Sequence, residues 1–246
     1  MRRFYLYLLL LGSLIFSTFA ELRGEKSLEF QSPDEQAHVL ELFTSQGCSS
    51  CPSAERWVSQ FMDHPGLWTE IVPIVFHVDY WDRLGWKDPF ASKDNTNRQY
   101  SYSRSGDIRQ VYTPCFVSNG NEWRGYFDQG SLPRYKEKLG VLKGTLIKER
   151  LAVSFNNPKE DLDLHVLVLG CDLQTKVRSG ENRGKLLKQQ FVSLAHETHK
   201  ANDNDWKIRL PDFDKKEGAR YALALFVTKR GLQTPIQATG TWLAME

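Results

Sequence analysis

Short apolar runs alternate with amphipathic stretches over the first half of the chain. Val39-Leu40-Glu41-Leu42-Phe43-Thr44 is a mostly apolar run of strand length and reads as a buried strand. It breaks at Ser45-Gln46-Gly47. From Ser53 to Met62, Ala54, Trp57, Val58 and Phe61 recur on one face at helical spacing, which predicts a helix. Ile71 to Val78 is a second strand, with Pro73 early enough to sit near its beginning. The stretch Asp79 to Gly106 is rich in aromatic residues, and a helix is expected over about Phe90 to Ser103. Gln110 to Ser118 predicts a third strand, Asn119-Gly120 is a hairpin turn signal, and Glu122 to Tyr126 is the returning partner. Leu132 to Leu139 suits a closing helix. This succession predicts an α/β layered domain over residues 37–143.

From about Thr145 the texture changes. Leu151 to Phe155, Leu162 to Leu169, Lys188 to Leu194, Trp206 to Leu210, Tyr221 to Thr228 and Ile236 to Leu243 read as strands separated by polar or glycine-containing loops. With no helical pattern between them, they predict an all-β antiparallel sandwich domain over residues 144–246, with the boundary near Gly140 to Gly144. The polar, aperiodic stretch 21–36 reads as a linker. Residues 1–20 have the layout of a secretory signal peptide: Arg2-Arg3, an apolar core densest from Leu6 to Phe16, and the small-residue site Thr18-Phe19-Ala20. An uncleaved signal anchor is the alternative. A periplasmic or secreted location is expected, with no stable membrane insertion after cleavage, since no later segment is apolar enough to span a bilayer.

Composition adds boundaries rather than chemistry. The 246 residues are 41% hydrophobic and 25% charged, which excludes long disorder and low-complexity classes. Net charge is +2 and balances once Arg2 and Arg3 leave with the leader; with no block of like charges, a nucleic-acid partner is not indicated.

Export changes how the four cysteines read. Cys48, Cys51, Cys115 and Cys171 are too few to staple a chain of this length, so they read as one special pair plus two others. Cys48-Ser49-Ser50-Cys51 stands where a buried strand gives way to a helix. There the free N–H groups and the dipole favour a thiolate on the first sulfur, and the second lies one turn on, placed to attack a mixed disulfide. Pro52 lacks an amide proton that a helix start leaves unpaired anyway. The same spacing also suits a permanent structural disulfide, or half of a zinc site that scattered His38, His64 and His77 would have to complete. No cofactor and no resident metal is implied.

Four stretches carry a family resemblance: Leu42-Phe43-Thr44-Ser45-Gln46-Gly47-Cys48-Ser49-Ser50-Cys51-Pro52, His77-Val78-Asp79-Tyr80-Trp81-Asp82, Leu84-Gly85-Trp86-Lys87-Asp88-Pro89-Phe90, and Tyr112-Thr113-Pro114. Together with Glu181-Asn182-Arg183-Gly184, they resemble the domain of unknown function 1223 family of exported bacterial proteins over residues 37 to 245. The resemblance implies a thioredoxin-like domain and hence an oxidoreductase, and supplies no substrate. In thioredoxin-like proteins a proline at the place of Pro114 is cis and shapes the groove where a substrate strand lies. An ordinary trans proline at a strand start is the plain alternative. In that family a polar residue usually follows Thr-Pro, whereas this chain has Cys115. It reads either as an extra resolving thiol or metal ligand, or as a small buried side chain. Cys171 ends an apolar strand and reads as core, and a Cys115–Cys171 bridge is left open.

Around the dithiol, Tyr80, Trp81 and Trp86 follow the second strand, near the sheet edge where ligands bind in open α/β folds, and are candidate substrate contacts. The plain alternative, which weighs slightly more, is that they cover the core or the domain interface. His77 and Asp79 alternate with Val78 and are candidates to assist proton transfer. His196 and His199 lack zincin spacing and read as loop histidines. The leading expectation is an exported thiol–disulfide oxidoreductase acting on protein or small disulfides with a redox partner. Cys48 attacks, Cys51 resolves, and Thr113-Pro114 holds the substrate strand. The alternatives are a copper(I)- or zinc-handling protein using the same thiols, and a non-catalytic binding module with a structural disulfide.

Overall fold

The computed structural model describes residues 26–157, 161–201 and 203–244, so the signal peptide expected over 1–20 lies outside the described residues. The stretch expected to be a linker contains a strand, β1 (Ser27–Gln31), whose Leu28 and Phe30 pack into a core from alternate positions. β2 (His38–Thr44) is buried throughout and leads through a turn into helix α1 (Cys51–Ser59), which has Pro52 in its first turn. β3 (Ile71–His77), also buried throughout, runs parallel to β2. Helix α2 (Lys93–Ser105) starts where Ser92 Oγ accepts the Asn95 amide at 3.1 Å and stops at Gly106, held at φ +85°.

The pleat of β2 sorts its contacts between the two helices. Thr44 Oγ1 donates to Glu55 of α1 at 2.7 Å. On the other face Glu41 receives a bidentate pair from Arg98 of α2, Nε to Oε2 at 2.7 Å and Nη2 to Oε1 at 2.8 Å, plus Tyr102 Oη at 2.7 Å. The two helices therefore cover opposite faces. The Arg98 guanidinium also lies 5.2–5.5 Å from the ring centres of Phe76, Tyr102 and Phe226.

β4 (Cys115–Ser118) pairs antiparallel with β2 and turns back through Asn119-Gly120 into β5 (Asn121–Glu122). Both turn residues have positive φ, +41° and +85°, as the tightest hairpins require. The strands are shorter than expected from Gln110–Ser118 and Glu122–Tyr126, because Gly125–Asp128 coils into a single helical turn, α3. The helix expected over Leu132–Leu139 is absent. Its backbone instead runs beside residues 34–36, with the Leu139 amide donating to Asp34 O at 3.0 Å and the Gln36 amide to Glu137 O at 2.8 Å.

The second half forms β6 (Leu142–Ile147), β7 (Arg150–Phe155), β8 (Leu162–Cys171), β9 (Leu173–Lys176), β10 (Leu186–Gln189), β11 (Val192–Lys200), β12 (Asp205–Arg209), β13 (Arg220–Lys229) and β14 (Pro235–Leu243). These strands correct the expected fold class. A thioredoxin-like α/β domain followed by a separate antiparallel sandwich does not form. One mixed sheet runs β14-β13-β8-β11-β3-β2-β4-β5 through both halves. The junction is β11 on β3, parallel, with the Val75 amide donating to Phe191 O at 2.9 Å. The physical reason lies in β3: with all seven residues buried it cannot stand at a sheet edge, and β11 supplies its missing neighbour. A four-stranded antiparallel sheet, β1-β6-β7-β12, packs as a further layer. Leu223, Leu225 and Val227 of β13 join its core, while Ala222, Ala224 and Phe226 join the core shared with α1 and α2.

The strand expected over Lys188–Leu194 is divided at Phe191, where φ is +59°. His196, expected in a loop, belongs to β11 and lies 6.0 Å from the Phe76 ring, while His165 Nδ1 and His196 Nε2 are 3.0 Å apart. Burial, aided by Arg98, lowers the His196 pKa to about 3, and burial, Arg98 and His196 push His165 the same way. Both imidazoles are neutral in the fold and take up protons on unfolding, so stability is complete above the ordinary value of 6.5 and is lost as pH falls toward 3. In urea unfolding at pH 7 and pH 5, His196→Gln is expected to lose about 1–2 kcal/mol less on acidification than the parent. An unchanged pH slope contradicts this assignment.

Candidate functional site: the Cys48–Cys51 turn

The turn between β2 and α1 carries a disulfide joining Cys48 and Cys51. The Cys51 amide donates to Cys48 O at 3.3 Å and the Cys48 amide to Ser45 O at 3.1 Å, so the loop is wound before the helix begins. Gly47 packs closely under Trp81: a Cβ there would meet Trp81 Cβ at 3.2 Å, a tight contact that would need a small shift. Both cysteines are covered, with Cys48 only 1% exposed. Cys48 Sγ lies 3.3 Å from Ser50 Oγ and 3.9 Å from the carbonyl oxygen of Thr113, whose bond to Pro114 is cis.

Two distant segments fix the turn, and the helix that follows places a carboxyl beneath it. From the loop before α2, Asp88 Oδ2 accepts both the Gln46 amide and His77 Nδ1, each at 2.7 Å, and Asp88 Oδ1 accepts the Phe90 amide at 2.9 Å. From the β9–β10 loop, the buried Asn182 amide donates to Gln46 O and Cys48 O, both at 2.9 Å, and Glu181 Oε2 accepts the Ser49 amide at 2.9 Å. From α1, Glu55 lies one helical turn beyond Cys51 on the same face, and both are buried.

The electrostatics beneath the turn are set by burial. Burial raises the Glu55 pKa, against the opposing pull of His77 and the Thr44 hydrogen bond. Burial disfavours charge on His77 too, but the charge and hydrogen bond of Asp88, helped by Glu55, outweigh it and leave its pKa raised. Burial likewise opposes ionisation of Asp88, and His77 with the Gln46 and Phe90 amides reverses the sign, leaving its pKa lowered. His77 and Asp88 thus form a buried ion pair, and His77 Nε2 has no hydrogen-bond partner.

Beside the disulfide a groove of about 460 Å³ opens, lined by Ser50, Tyr112, Thr113, Pro114, Tyr126 and Phe127, with Arg124 at its wall. Tyr126 is backed by Phe116 and Trp57, at 4.9 and 5.8 Å between ring centres, so this wall is firm.

A family model described as a protein of unknown function, DUF1223, matches residues 39–228, from β2 through most of β13. The chain belongs to the DUF1223 family. No curated protein matches it. Among solved structures, a crystal structure of an Agrobacterium tumefaciens protein is 24% identical, covers 86% of this chain and 99% of its own, and has a TM-score of 0.60. HBP35 of Porphyromonas gingivalis is 13% identical, covers 85% of this chain and 76% of its own, and has a TM-score of 0.52. At these identities the likeness concerns the fold alone. The DUF1223 match takes in the Cys48 turn, Asp88, the Thr113-Pro114 pair and the Glu181-Asn182 loop.

Within this DUF1223 chain the candidate residues separate into two groups. Cys48, Cys51, Thr113 and Pro114 are brought together. Tyr80, Trp81 and Trp86 brace the surrounding loops: Tyr80 Oη donates to Gln99 at 3.1 Å, Trp81 Nε1 to Thr113 Oγ1 at 2.8 Å and Trp86 Nε1 to Gln46 Oε1 at 3.0 Å. Asp79 turns away and accepts the Thr96 hydroxyl of α2 at 2.6 Å. Cys115 is opposite Phe43 on β2, which packs on Tyr102 of α2, so it points away from α1. Cys115 and Cys171 are free and buried, and burial pushes both thiols up to about 12. Among the described residues no three metal-ligating side chains cluster. Asp88, Tyr112 and Asn182 stood in the motifs of the family resemblance with no role assigned, and Glu55, Tyr126 and Phe127 were not singled out as site residues. The helical spacing of Glu55 from Cys51 was the available signal.

Asp88→Asn removes one charge of the buried pair and is expected to cost about 2 kcal/mol of stability in chemical denaturation near neutral pH. The His77 share is present below the ordinary histidine value and is lost as pH rises through the raised native pKa. The deficit of Asp88→Asn relative to the parent should therefore shrink in alkali. A deficit that is constant with pH contradicts the ion pair.

Proposed function

We propose that this protein is an exported thiol–disulfide oxidoreductase in which Cys48 exchanges with protein or small-molecule disulfides. The observation that carries the reading is the joining of Cys48 and Cys51 at a helix start, with an aromatic-lined groove ending at Thr113-Pro114 beside Cys48. The Arg2-Arg3 and apolar leader support export to an oxidising compartment. In the reducing direction the Cys48 thiolate attacks one sulfur of a substrate disulfide. A Cys48–substrate mixed disulfide forms and the other substrate sulfur leaves as a thiolate. Cys51 then gives its proton to the Glu55 carboxylate and attacks Cys48 Sγ. The protein disulfide forms and the second substrate thiolate departs, two electrons having passed from protein to substrate. Run backwards, the same steps oxidise a substrate dithiol, whose two electrons reduce the Cys48–Cys51 bond.

Each neighbour has a part in this scheme. Free amides and the dipole of α1 stabilise the Cys48 thiolate. Burial makes Glu55 a weaker acid than an exposed glutamate, closer to a thiol in proton affinity and so suited to a transfer with Cys51. Tyr112, Tyr126 and Phe127 offer apolar contact to an extended peptide. The small exposure of Cys48 means that the rim at Ser50 and Thr113 must part for a substrate sulfur to reach it. That same burial supports a second reading, a permanent structural bridge in a binding module.

Insulin reduction by a small dithiol separates the two readings. The parent is expected to accelerate it, Cys48→Ser to fall to the background rate, and Cys51→Ser to accumulate a mixed disulfide with substrate. Glu55→Gln is expected to slow resolution by about ten- to a hundred-fold. Equal rates for the parent and Cys48→Ser overturn the exchange reading.

A further inference from the structure

We propose that Glu181, carried by the β9–β10 loop, is a positioning residue that restrains Cys48: its carboxylate occupies the Ser49 amide and sets a negative charge one residue from the attacking sulfur. The inference rests on the exchange reading and adds the means by which the second half of the chain tunes that site.

The loop is built onto the turn rather than resting beside it. Asn182 is fully buried and one side-chain amide holds two carbonyl oxygens of the turn, Gln46 O and Cys48 O, each at 2.9 Å. Lys185 Nζ donates to Asn182 Oδ1 at 2.8 Å, which fixes the amide's orientation. Ser179 Oγ donates to Gly85 O at 2.5 Å. Gly180, at φ +71°, lies so close to Trp86 that a Cβ there would meet Trp86 Cβ at 3.3 Å. On this frame Glu181 Oε2 accepts the Ser49 amide at 2.9 Å. That amide belongs to the turn just before α1, adjacent to Cys48, and without Glu181 it would be free to face a Cys48 thiolate.

The sign follows from charge. Two anions near one another disfavour each other's ionised forms, so the Glu181 carboxylate opposes ionisation of Cys48. Destabilising the thiolate destabilises the reduced protein, which makes the couple more reducing. The other charged groups on the elements packed round the turn include Asp88 with His77 beneath Gln46 and Lys87 beside it, Glu55 and Arg56 on α1, Arg183 and Lys185 in the β9–β10 loop, and Arg124 across the groove. They are unchanged by a substitution at Glu181, which is exposed and removable without opening the core.

Glu181→Gln keeps an oxygen for the Ser49 amide and removes the charge alone; Glu181→Ala removes both. In full-length chains carrying Cys51→Ser, iodoacetamide alkylation against pH, followed on the Cys48 peptide by mass, reads Cys48 apart from the buried Cys115 and Cys171, whose thiols are pushed up to about 12. Glu181→Gln is expected to make Cys48 about two- to five-fold more acidic at low salt, less so at high salt, with Glu181→Asp restoring the parent profile. With both cysteines intact, Glu181→Gln is expected to shift the glutathione equilibrium toward the reduced protein. An unchanged Cys48 profile and an unchanged equilibrium in Glu181→Gln overturn the proposal, as does an effect confined to Glu181→Ala, which would assign a purely structural anchor. The titration needs no turnover, so the two fail separately: failure to reduce insulin despite a shifted profile removes the exchange reading, and an unshifted profile in a protein that reduces insulin removes the role of Glu181 alone.

Discussion

One buried carboxylate governs the geometry of this site. Asp88 Oδ2 accepts the His77 imidazole and the Gln46 amide together, which ties the end of β3 to the turn that carries Cys48. A carboxylate so placed has little exposure to water, and its ionisation is sustained by those donors and by the Phe90 amide. Remove it and Gln46 loses its anchor, His77 keeps a buried imidazole without a partner, and the Trp86 contact to Gln46 Oε1 loses its fixed target. Unrelated stretches of chain converge on the turn: Asp88 from before α2, Asn182 from the β9–β10 loop, and Thr113 from before β4.

That convergence explains why the two halves of the chain are not independent. The apolar runs of β3 and β8 have no solvent face, and a strand with no solvent face needs partners on both edges and cover on both sides. β11 joins them into one sheet, and the loop of the β9–β10 hairpin that precedes it reaches back over the Cys48 turn. The four-stranded layer covers the far part of the same sheet. Alternation on β13 serves both cores at once, small and aromatic residues toward the helices and branched ones toward the extra layer.

What could be read from the sequence follows the range of the interaction responsible. β2, β3, α1 and the Asn119-Gly120 turn were legible because local pattern decides them: continuous burial, helical spacing, and a dipeptide that tolerates positive φ. The strands of the second half were mostly located, yet their assignment to a separate sandwich was wrong. Strand pairing depends on neighbours far along the chain, which periodicity does not encode. β1 was missed although Leu28 and Phe30 alternate with polar residues, because a run of five with a weak pattern resembles a linker. His196 was read as a loop residue from its polar surroundings, whereas β11 turns it onto Phe76 and His165. At the site, the cysteines and Thr113-Pro114 were legible as motifs. The contacts made by Glu55, Asp88 and Asn182 emerge only when the chain is folded.

The chemistry of the account reduces to whether the Cys48–Cys51 bond is a working couple or a fixture. Its reduction potential decides this most directly, read by equilibrating the full chain in glutathione buffers and mapping which sulfur of the reduced protein is alkylated first. A working couple is expected to lie above about −300 mV, with Cys48 reacting well ahead of Cys51. A potential below that value, or two equally inert sulfurs once reduced, contradicts the account and leaves the bond a structural one.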